Sequence, residues 1–354
     1  MKSSHTLLVL LLALWASPVV SEDVYQLPAI DDETSVLQIY GAADFLVFWP
    51  VLAEFQKRHP DVAIRYSEFN TRVLYKSYLE RLPRSPDLML SSAMDLQVKL
   101  VNDGHARLHR SDQTQALPKW ANWRNEVFGF TYEPAVIAIN NKFLPEDQQP
   151  STRSALLDLI RQESNRLMGR IGTFDIENVG VGYLTWAHDR QQSGSYGRLL
   201  EAFGTHRARR FPSSSSMLKN VNSGEILVAY NVLGSYAKSW AEQYSNVSVV
   251  MPEDYTTLVM RSAFIPKRAP NPRIAGLFLD FLLSVDGQQV LADKADLFPI
   301  REEVTGELPA HSLIQQPDTH FQPIPLSLSL LMYADQAKRD LILDEWEAAM
   351  KTFD

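Results

Sequence analysis

Hydroxyl-bearing residues and glycines follow short apolar runs of the sequence, where strands are expected to end and helices to begin. Ser91 and Ser92 close the run "DLML", and Gly234 and Ser235 follow the run "ILVAY", which Asn231 ends. Backbone amides at a helix N-terminus, together with side-chain hydroxyls, bind phosphate or carboxylate groups. We therefore predict a site for a small anion here. Helix capping is an equally good explanation of the serine pair.

Further candidates for this site lie in other turns of the chain. They are polar or small residues that belong to or follow predicted strands: Ala43, Arg72, Thr173, Asp175, Asn178 and Asn231. An arginine such as Arg72 pairs bidentately with phosphate, although a solvated arginine at a helix start is the commoner case. Glycines 180 and 182 permit close approach of the backbone to a ligand. The serine run 213–216 is either a surface loop or a source of binding hydroxyls.

Alternating strand-like and helix-like segments position these turns. Strands are predicted over Val36–Tyr40, Val62–Tyr66 and Asp87–Leu90, with helices over Phe45–His59 and from Ser91 to about Val101. This alternation predicts an α/β fold with a mostly parallel sheet. Ligands of such sheets bind outside the carboxyl ends of the strands, which is where the candidate residues fall.

Two long extended segments, Gly129–Asn140 and Asp254–Lys267, interrupt the alternation. We interpret them as two crossings between two α/β lobes, so that the chain forms a hinge beside a cleft. The predicted division is residues 22–131 plus 263–354 for the first lobe, and 132–262 for the second lobe with its hinge strands.

Helices predicted in the remaining segments complete the two lobes. A helix over about Ala155–Leu167 is assigned to the second lobe. Helices near Pro272–Leu291 and Asp335–Lys351 are expected to pack back on the first lobe.

The N-terminal segment has the pattern of a secretory signal peptide. Lys2 precedes an apolar run over Leu7–Trp15, and small residues lead to a predicted cleavage after Ser21. The apolar run is shorter than the ~20 residues that span a bilayer. We expect residues 1–21 to be removed and the mature protein not to insert into the membrane.

The composition of the chain indicates its cellular compartment and its class of partner. The chain has 354 residues, no cysteine and a formal net charge of -8. An exported two-lobed protein without disulfides fits the bacterial periplasm better than a eukaryotic extracellular space. The negative balance argues against a nucleic-acid partner but leaves room for a local anion site.

Signatures of catalysis are weak in this sequence. Its eight histidines are scattered, and it has no His-Glu-x-x-His pair, no Gly-x-Ser-x-Gly elbow and no phosphate-binding loop that ends in Lys-Ser or Lys-Thr. We predict a binding protein without cofactor, metal ligands or catalytic residues. An exported hydrolase on the same fold is the alternative from another class.

The order of several motifs resembles a known family. The motifs are, in chain order, "LQIYGAADF", "FQKRHPDVAIRY", "SPDLMLSSAMD", "FGFTYEPAVIAINN", "GRIGTFDIENVGVGY" and "SGEILVAYNVLGSYA". They are similar to bacterial extracellular solute-binding proteins of the ferric-ion and phosphorylated-solute type. The similarity is greatest to phosphoglycerate-transport regulatory proteins and hexose-phosphate-binding relatives. The resemblance implies a two-lobed periplasmic binding protein fold of type 2.

The resemblance also bears on the ligand and on the partners. Ferric-binding relatives hold the metal with two adjacent tyrosines, and this chain has Gly234 and Ser235 at the matching positions. A trivalent cation needs anionic oxygen ligands, so we favour a small anion, such as a phosphorylated three-carbon acid or a sugar phosphate. Ferric ion is the main alternative, and an unphosphorylated di- or tricarboxylate is the second. The implied partner is an inner-membrane permease complex of an ABC transporter or the sensor domain of a histidine kinase in two-component signalling.

Overall fold

The computed structural model describes residues 23–80, 85–192, 194–305 and 320–351. The predicted signal peptide, residues 1–21, lies outside the described residues. The strands are β1 (Asp23–Leu27), β2 (Ser35–Gly41), β3 (Val62–Glu68), β4 (Leu88–Ser91), β5 (Asn122–Trp123), β6 (Val127–Gly129), β7 (Glu133–Asn140), β8 (Ile171–Phe174), β9 (Arg209–Phe211), β10 (Val228–Leu233), β11 (Val247–Val250), β12 (Thr256–Val259), β13 (Ser262–Phe264) and β14 (Phe321–Pro323).

Helices fill the segments between these strands. They are α1 (Phe45–Arg58), α2 (Thr71–Glu80), α3 (Met94–Asn102), α4 (Asp112–Gln115), α5 (Arg153–Gln162), α6 (Ser164–Leu167), α7 (Gly180–Gln192), α8 (Tyr196–Thr205), α9 (Ser214–Ser223), α10 (Gly234–Gln243), α11 (Pro272–Leu283), α12 (Val285–Lys294), α13 (Leu331–Ala334) and α14 (Gln336–Lys351). Short 3-10 turns lie at Lys119–Ala121, Glu146–Gln148 and Leu328–Leu330.

The strands form two sheets. The first has the order β1-β3-β2-β4-β13-β6-β5, and β2 runs parallel to both β3 and β4. The second has the order β14-β12-β7-β10-β8-β9, with β11 also paired to β7, and β8 runs parallel to β9 and β10. Strands β4, β7 and β10 are buried along their whole length, because helices cover both faces of the sheets.

The chain passes from the first sheet to the second and back at the two predicted crossings. The segment Gly129–Asn140 is divided, since β6 ends at Gly129 in the first sheet and β7 begins at Glu133 in the second. The return is also divided, with β12 in the second sheet and β13 in the first. Each crossing is therefore a link between two strands rather than one long strand. The exact lobe boundaries stay a prediction.

The last helix lies elsewhere than we expected. We predicted that α14 packs on the first lobe, but it packs against α8 and α7, which flank the second sheet. The rings of Trp186 and Trp346 lie 4.8 Å apart, and Arg190 Nη2 lies 2.8 Å from Glu345 Oε1. Gly204 leaves no room for a side chain beside the carbonyl of Ala349. The apolar side of a helix is readable from its sequence, whereas the surface that this side covers is not.

Two predicted helices are each divided into two. The helix over Ala155–Leu167 consists of α5 and α6. The helix near Pro272–Leu291 consists of α11 and α12, which are bent by 66° at Ser284. The Ser284 hydroxyl accepts a hydrogen bond from Gly287 N at 3.1 Å and so caps a new helix. Among the described residues no single helix is long and apolar enough to cross a membrane, and this bent pair reaches that length and composition only when taken together.

Candidate functional site

A cavity of about 500 Å³ lies between the two sheets, and we call it the cleft. Its first-sheet side includes Asp44, Asn70 and Ser92, which follow β2, β3 and β4. Its second-sheet side includes Ser213 and Tyr236, which follow β9 and β10. Parallel strands of both sheets thus direct their carboxyl ends at one space, which is the usual ligand position in an open α/β sheet.

Several helices begin at the cleft, but other side chains already occupy their first amides. Phe45 N at the start of α1 donates to Glu68 Oε2 at 2.8 Å. Ser235 N in α10 donates to Glu133 Oε2 at 3.3 Å. One amide at each of these two helix starts is therefore already paired within the protein.

Arg261 is the one lysine or arginine among the described residues that line the cleft. It lines the cleft and is only 2% exposed, and its Nε donates to Glu133 Oε1 at 3.1 Å. Its guanidinium carbon lies 5.1 Å from the ring centre of Tyr236. Its Nη2 has no hydrogen-bond partner among the described residues. Because a buried unpaired donor is costly, this nitrogen marks where a ligand oxygen can bind.

Carboxylates also line the cleft. Asp23, Asp44 and Glu68 all contribute to its lining. Asp44 Oδ2 accepts a hydrogen bond from Ser215 Oγ at 2.5 Å. Burial raises the pKa of Glu68, and the nearby charges of Asp44 and Asp23 raise it further. The cleft is thus acidic along one wall and contains a single described arginine.

The two sides of the cleft touch each other. Thr71 Oγ1 accepts a hydrogen bond from Gly180 N at 2.8 Å, and Asn70 Nδ2 donates to the Pro212 carbonyl at 3.1 Å. Asp44 N donates to the Tyr236 hydroxyl at 3.3 Å. These bonds join the turns after β2 and β3 to elements of the second sheet. The structure therefore has a closed cleft.

Gly180 provides a test of this closed arrangement. A Cβ atom at Gly180 would lie 2.9 Å from the Ala93 Cβ and 3.1 Å from Leu96 Cδ1. We expect Gly180→Ala to cost the closed arrangement about 1–3 kcal/mol and to weaken solute binding by about tenfold or more. Gly197→Ala is the matched control, because nothing lies within 4 Å of that position. Small-angle scattering should give a larger radius for Gly180→Ala alone, and unchanged scattering and affinity would contradict the prediction.

The predicted residues after the strands of the first sheet lie at or beside the cleft. Ser92 lines it. Ala43 is buried between the lining residues 42 and 44, and its carbonyl accepts a hydrogen bond from the Tyr66 hydroxyl at 2.7 Å. Ser91 Oγ accepts from Ala93 N at 3.1 Å, which fits a turn role. Arg72 follows the lining residue 71 but does not itself line the cleft.

The predicted residues in β8 and in the loop after it do not line the cleft. Thr173 is buried inside the second lobe, where its Oγ1 accepts a hydrogen bond from Trp186 Nε1 at 2.9 Å. Asp175 and Asn178 bond to each other at 2.9 Å, and neither lines the cleft. That these residues contact a ligand stays a prediction.

Gly234 and Ser235 are buried at the start of α10. Gly234 packs against Pro134 and lines a second cavity of about 940 Å³, beside β11 and α10. That cavity is larger than the cleft, but the carboxyl ends of the parallel strands do not meet there. The hydroxyl of Ser235 is buried without a partner among the described residues. Ligand contact by these two residues also stays a prediction.

Asn231 has a structural role at the end of β10. Its φ of 61° is left-handed, and the pairing of β10 with β7 shifts register between Tyr230 and Val232. Asparagine tolerates this conformation better than most residues. Its Nδ2 donates to Asp189 Oδ2 at 2.9 Å, so a buried carboxylate fixes the bulge. The bulge in turn sets the start of α10, from which Tyr236 reaches the cleft.

A buried polar network holds Asp189. Its Oδ1 accepts hydrogen bonds from the Tyr255 hydroxyl at 2.7 Å and from Arg153 Nη2 at 3.4 Å. Its Oδ2 accepts from the Tyr230 hydroxyl at 3.0 Å. Arg153 is fully buried, and its Nη1 lies 3.0 Å from Asp254 Oδ1. The network therefore links α5, α7, β10 and the segment before the hinge strand β12.

Several lining residues were missed by sequence reasoning. They are Asp23, Asp44, Asn70, Thr71, Tyr236 and Arg261. In the serine run, Ser213 caps α9 and also lines the cleft. Asp44 and Asn70 follow predicted strands and could have been found by the same rule as Ser92. No pattern marks Arg261, because its importance depends on burial.

Two α/β lobes that close over a polar cavity define a ligand-binding protein of the two-lobed class. The chain belongs to the bacterial extracellular solute-binding proteins, whose family model matches residues 37–294. A comparison with curated proteins found no match. The family and its neighbours bind solutes, which confirms the expected family and a binder rather than an enzyme.

Solved structures confirm the predicted fold. A substrate-binding protein of an ABC transporter from Agrobacterium tumefaciens is 33% identical, with a TM-score of 0.89 over 94% of this chain and 100% of that one. AfuA from Actinobacillus pleuropneumoniae, with fructose-6-phosphate bound, is 18% identical, with a TM-score of 0.72 over 90% and 100%. Iron-bound HitA from Pseudomonas aeruginosa is 18% identical, with a TM-score of 0.67 over 89% and 99%. The last two are similar in fold alone.

Proposed function

We propose that this protein is a periplasmic binding protein that holds a small organic oxyanion in the cleft and delivers it to an inner-membrane ABC permease. The unpartnered Nη2 of Arg261 carries the proposal, because it is a buried cationic donor on a residue that lines the cavity. A phosphate, phosphonate or carboxylate oxygen satisfies it with a charge-assisted hydrogen bond. The predicted signal peptide supports the periplasmic location.

Delivery to a permease is supported by the similarity to the Agrobacterium tumefaciens ABC transporter protein. A hand-over to a sensor kinase has no comparable support. Closure over the solute is a population shift, since the closed state binds it more tightly. The permease would then recognise the closed form.

Ferric ion is the second candidate, because iron-bound HitA has the same fold. The cleft argues against it. Tyr236 is the one tyrosine among its described lining residues, and burial raises the pKa of that phenol above its ordinary value. In the part of the chain that the structure describes, no group of three or more His, Cys, Asp or Glu side chains is placed to hold a metal ion. An organic oxyanion therefore remains the better supported ligand.

A thermal-shift screen of the purified mature protein tests the proposal. The panel should contain 3-phosphoglycerate, fructose 6-phosphate, 2-aminoethyl phosphate, citrate and ferric chloride. A ligand at one hundred times its dissociation constant stabilises the folded state by about 2.7 kcal/mol, which raises the melting temperature by several degrees. We expect at least one organic oxyanion to do so. Stabilisation by ferric ion alone, with a visible tyrosinate charge-transfer band, would refute the proposal.

A further inference from the structure

The acidic wall of the cleft is formed by Asp23, Asp44 and Glu68. The three charges act on a common neighbour, Tyr25. Burial raises the pKa of Tyr25, and the negative charges of all three carboxylates raise it further. Glu68 accepts one hydrogen bond from Phe45 N at 2.8 Å, and Asp44 accepts one from Ser215 Oγ at 2.5 Å. Each carboxylate can accept further hydrogen bonds.

Among the described residues, no lysine, arginine or histidine forms an ion pair with this acidic wall. The charge of Arg261 acts on Asp44 without such a pair. Arg261 is the single described arginine in the lining, and it is already paired with Glu133 at 3.1 Å. The cleft therefore carries an excess of negative charge although one of its donors is suited to an oxyanion.

A solute that carries only negative charge fits this distribution poorly. Its second anionic group would face the acidic wall, and like charges in a partly buried site repel strongly. 3-Phosphoglycerate is such a solute, since it bears a carboxylate besides its phosphate. A hydroxyl group could donate a hydrogen bond to the wall but would leave its charge uncompensated.

We propose that the solute carries an ammonium group as well as an oxyanion, with the ammonium bound at Asp23, Asp44 and Glu68 and the oxyanion bound at Arg261. This inference rests on the proposed function and specifies the class of its solute. Two observations support it independently. The wall forms no ion pair with a described cation, and Arg261, which lines the same cavity, has a buried Nη2 without a partner among the described residues. A solute with opposite charges at its two ends provides a cation for the wall and an oxygen acceptor for Arg261.

Matched probes test the inference. Isothermal titration of the full mature chain should compare 2-aminoethyl phosphate with 2-hydroxyethyl phosphate, and 3-aminopropyl phosphate with 3-hydroxypropyl phosphate. The members of each pair differ by an ammonium in place of a hydroxyl. We expect at least one amine to bind about tenfold or more tightly than its hydroxyl counterpart, as a charge-assisted hydrogen bond predicts.

Variants of the acidic wall test whether its carboxylates cause the difference in affinity between the amine and hydroxyl probes. Glu68→Gln keeps an acceptor for Phe45 N and should reduce the difference within a pair to less than about threefold. Asp44→Asn serves as a second variant if the first does not fold. Glu201→Gln, at an exposed position of α8, removes the same charge away from the cleft and should leave the difference unchanged.

Each other outcome is decisive. Equal binding within both pairs, or tighter binding of the hydroxyl probes or 3-phosphoglycerate, would overturn the ammonium assignment while the proposed function stands. A difference that persists in both wall variants would also overturn it. If no probe of either pair binds, the inference is wrong, and the thermal-shift panel then decides separately on the proposed function.

Discussion

Replacing Arg261 with glutamine will lower the affinity for the solute by about 10- to 100-fold. This range corresponds to the ~1.5–3 kcal/mol of a hydrogen bond to a charged group. The same change removes the partner of Glu133, which is fully buried. Breaking a buried ion pair from one side costs about 3–5 kcal/mol, so the free energy of unfolding should fall as well.

A double variant distinguishes the effect of Arg261 on solute affinity from its effect on the free energy of unfolding. In the double variant Glu133→Gln with Arg261→Gln, no buried charge is left unpaired, and most of the lost stability should return. Solute binding should stay weak, because the double variant also lacks the guanidinium of Arg261. Arg110→Gln, at an exposed position, is the control for loss of a positive charge. Calorimetric titration and chemical unfolding measure both quantities, and full affinity in the double variant would exclude Arg261 as a ligand contact.

Replacing Asp189 with alanine will lower the free energy of unfolding by about 3–5 kcal/mol. This carboxylate is 1% exposed and accepts hydrogen bonds from Arg153, Tyr230, Asn231 and Tyr255. Without it the Arg153 guanidinium loses a buried partner, and the left-handed bulge at Asn231 loses its anchor. Because the bulge sets the start of α10, solute affinity should fall too.

Guanidinium unfolding followed by tryptophan fluorescence measures the effect. Asp147→Ala, at an exposed position, is the control and should change stability by less than about 0.5 kcal/mol. Tyr230→Phe removes a single hydroxyl from the same network and should cost less than Asp189→Ala. A loss below about 1 kcal/mol for Asp189→Ala would mean that the network does not stabilise this lobe as described.

The fold was largely predictable because local patterns determine its strands and helices. The predicted strand Val36–Tyr40 differs from β2 by one residue at each end. Divided helices were harder to predict, since the capping hydroxyl of Ser284 interrupts an otherwise continuous apolar pattern. The position of α14 was mispredicted, because its partner Trp186 is distant in sequence.

The site was less predictable than the fold. Ser92 was found because hydroxyls at the carboxyl ends of strands tend to line clefts. Arg261 was missed because it lies in an extended apolar segment, and only the three-dimensional arrangement shows which of its nitrogens lacks a partner. Asn231 was placed in the predicted site because of its position, yet its amide is engaged in holding the bulge.

The contact between Trp186 and Trp346 has a consequence for folding during synthesis. The second sheet is formed mainly by residues from 133 to 259. Its flanking helix α7, however, packs against Trp346, which lies far later in the chain than Trp186. A domain of contiguous sequence can fold while the ribosome is still extending the chain. The packing of Trp186 against Trp346 cannot form before residue 346 has been added. For a protein exported as we propose, such a delay would leave the chain incompletely folded while it passes through a translocation channel.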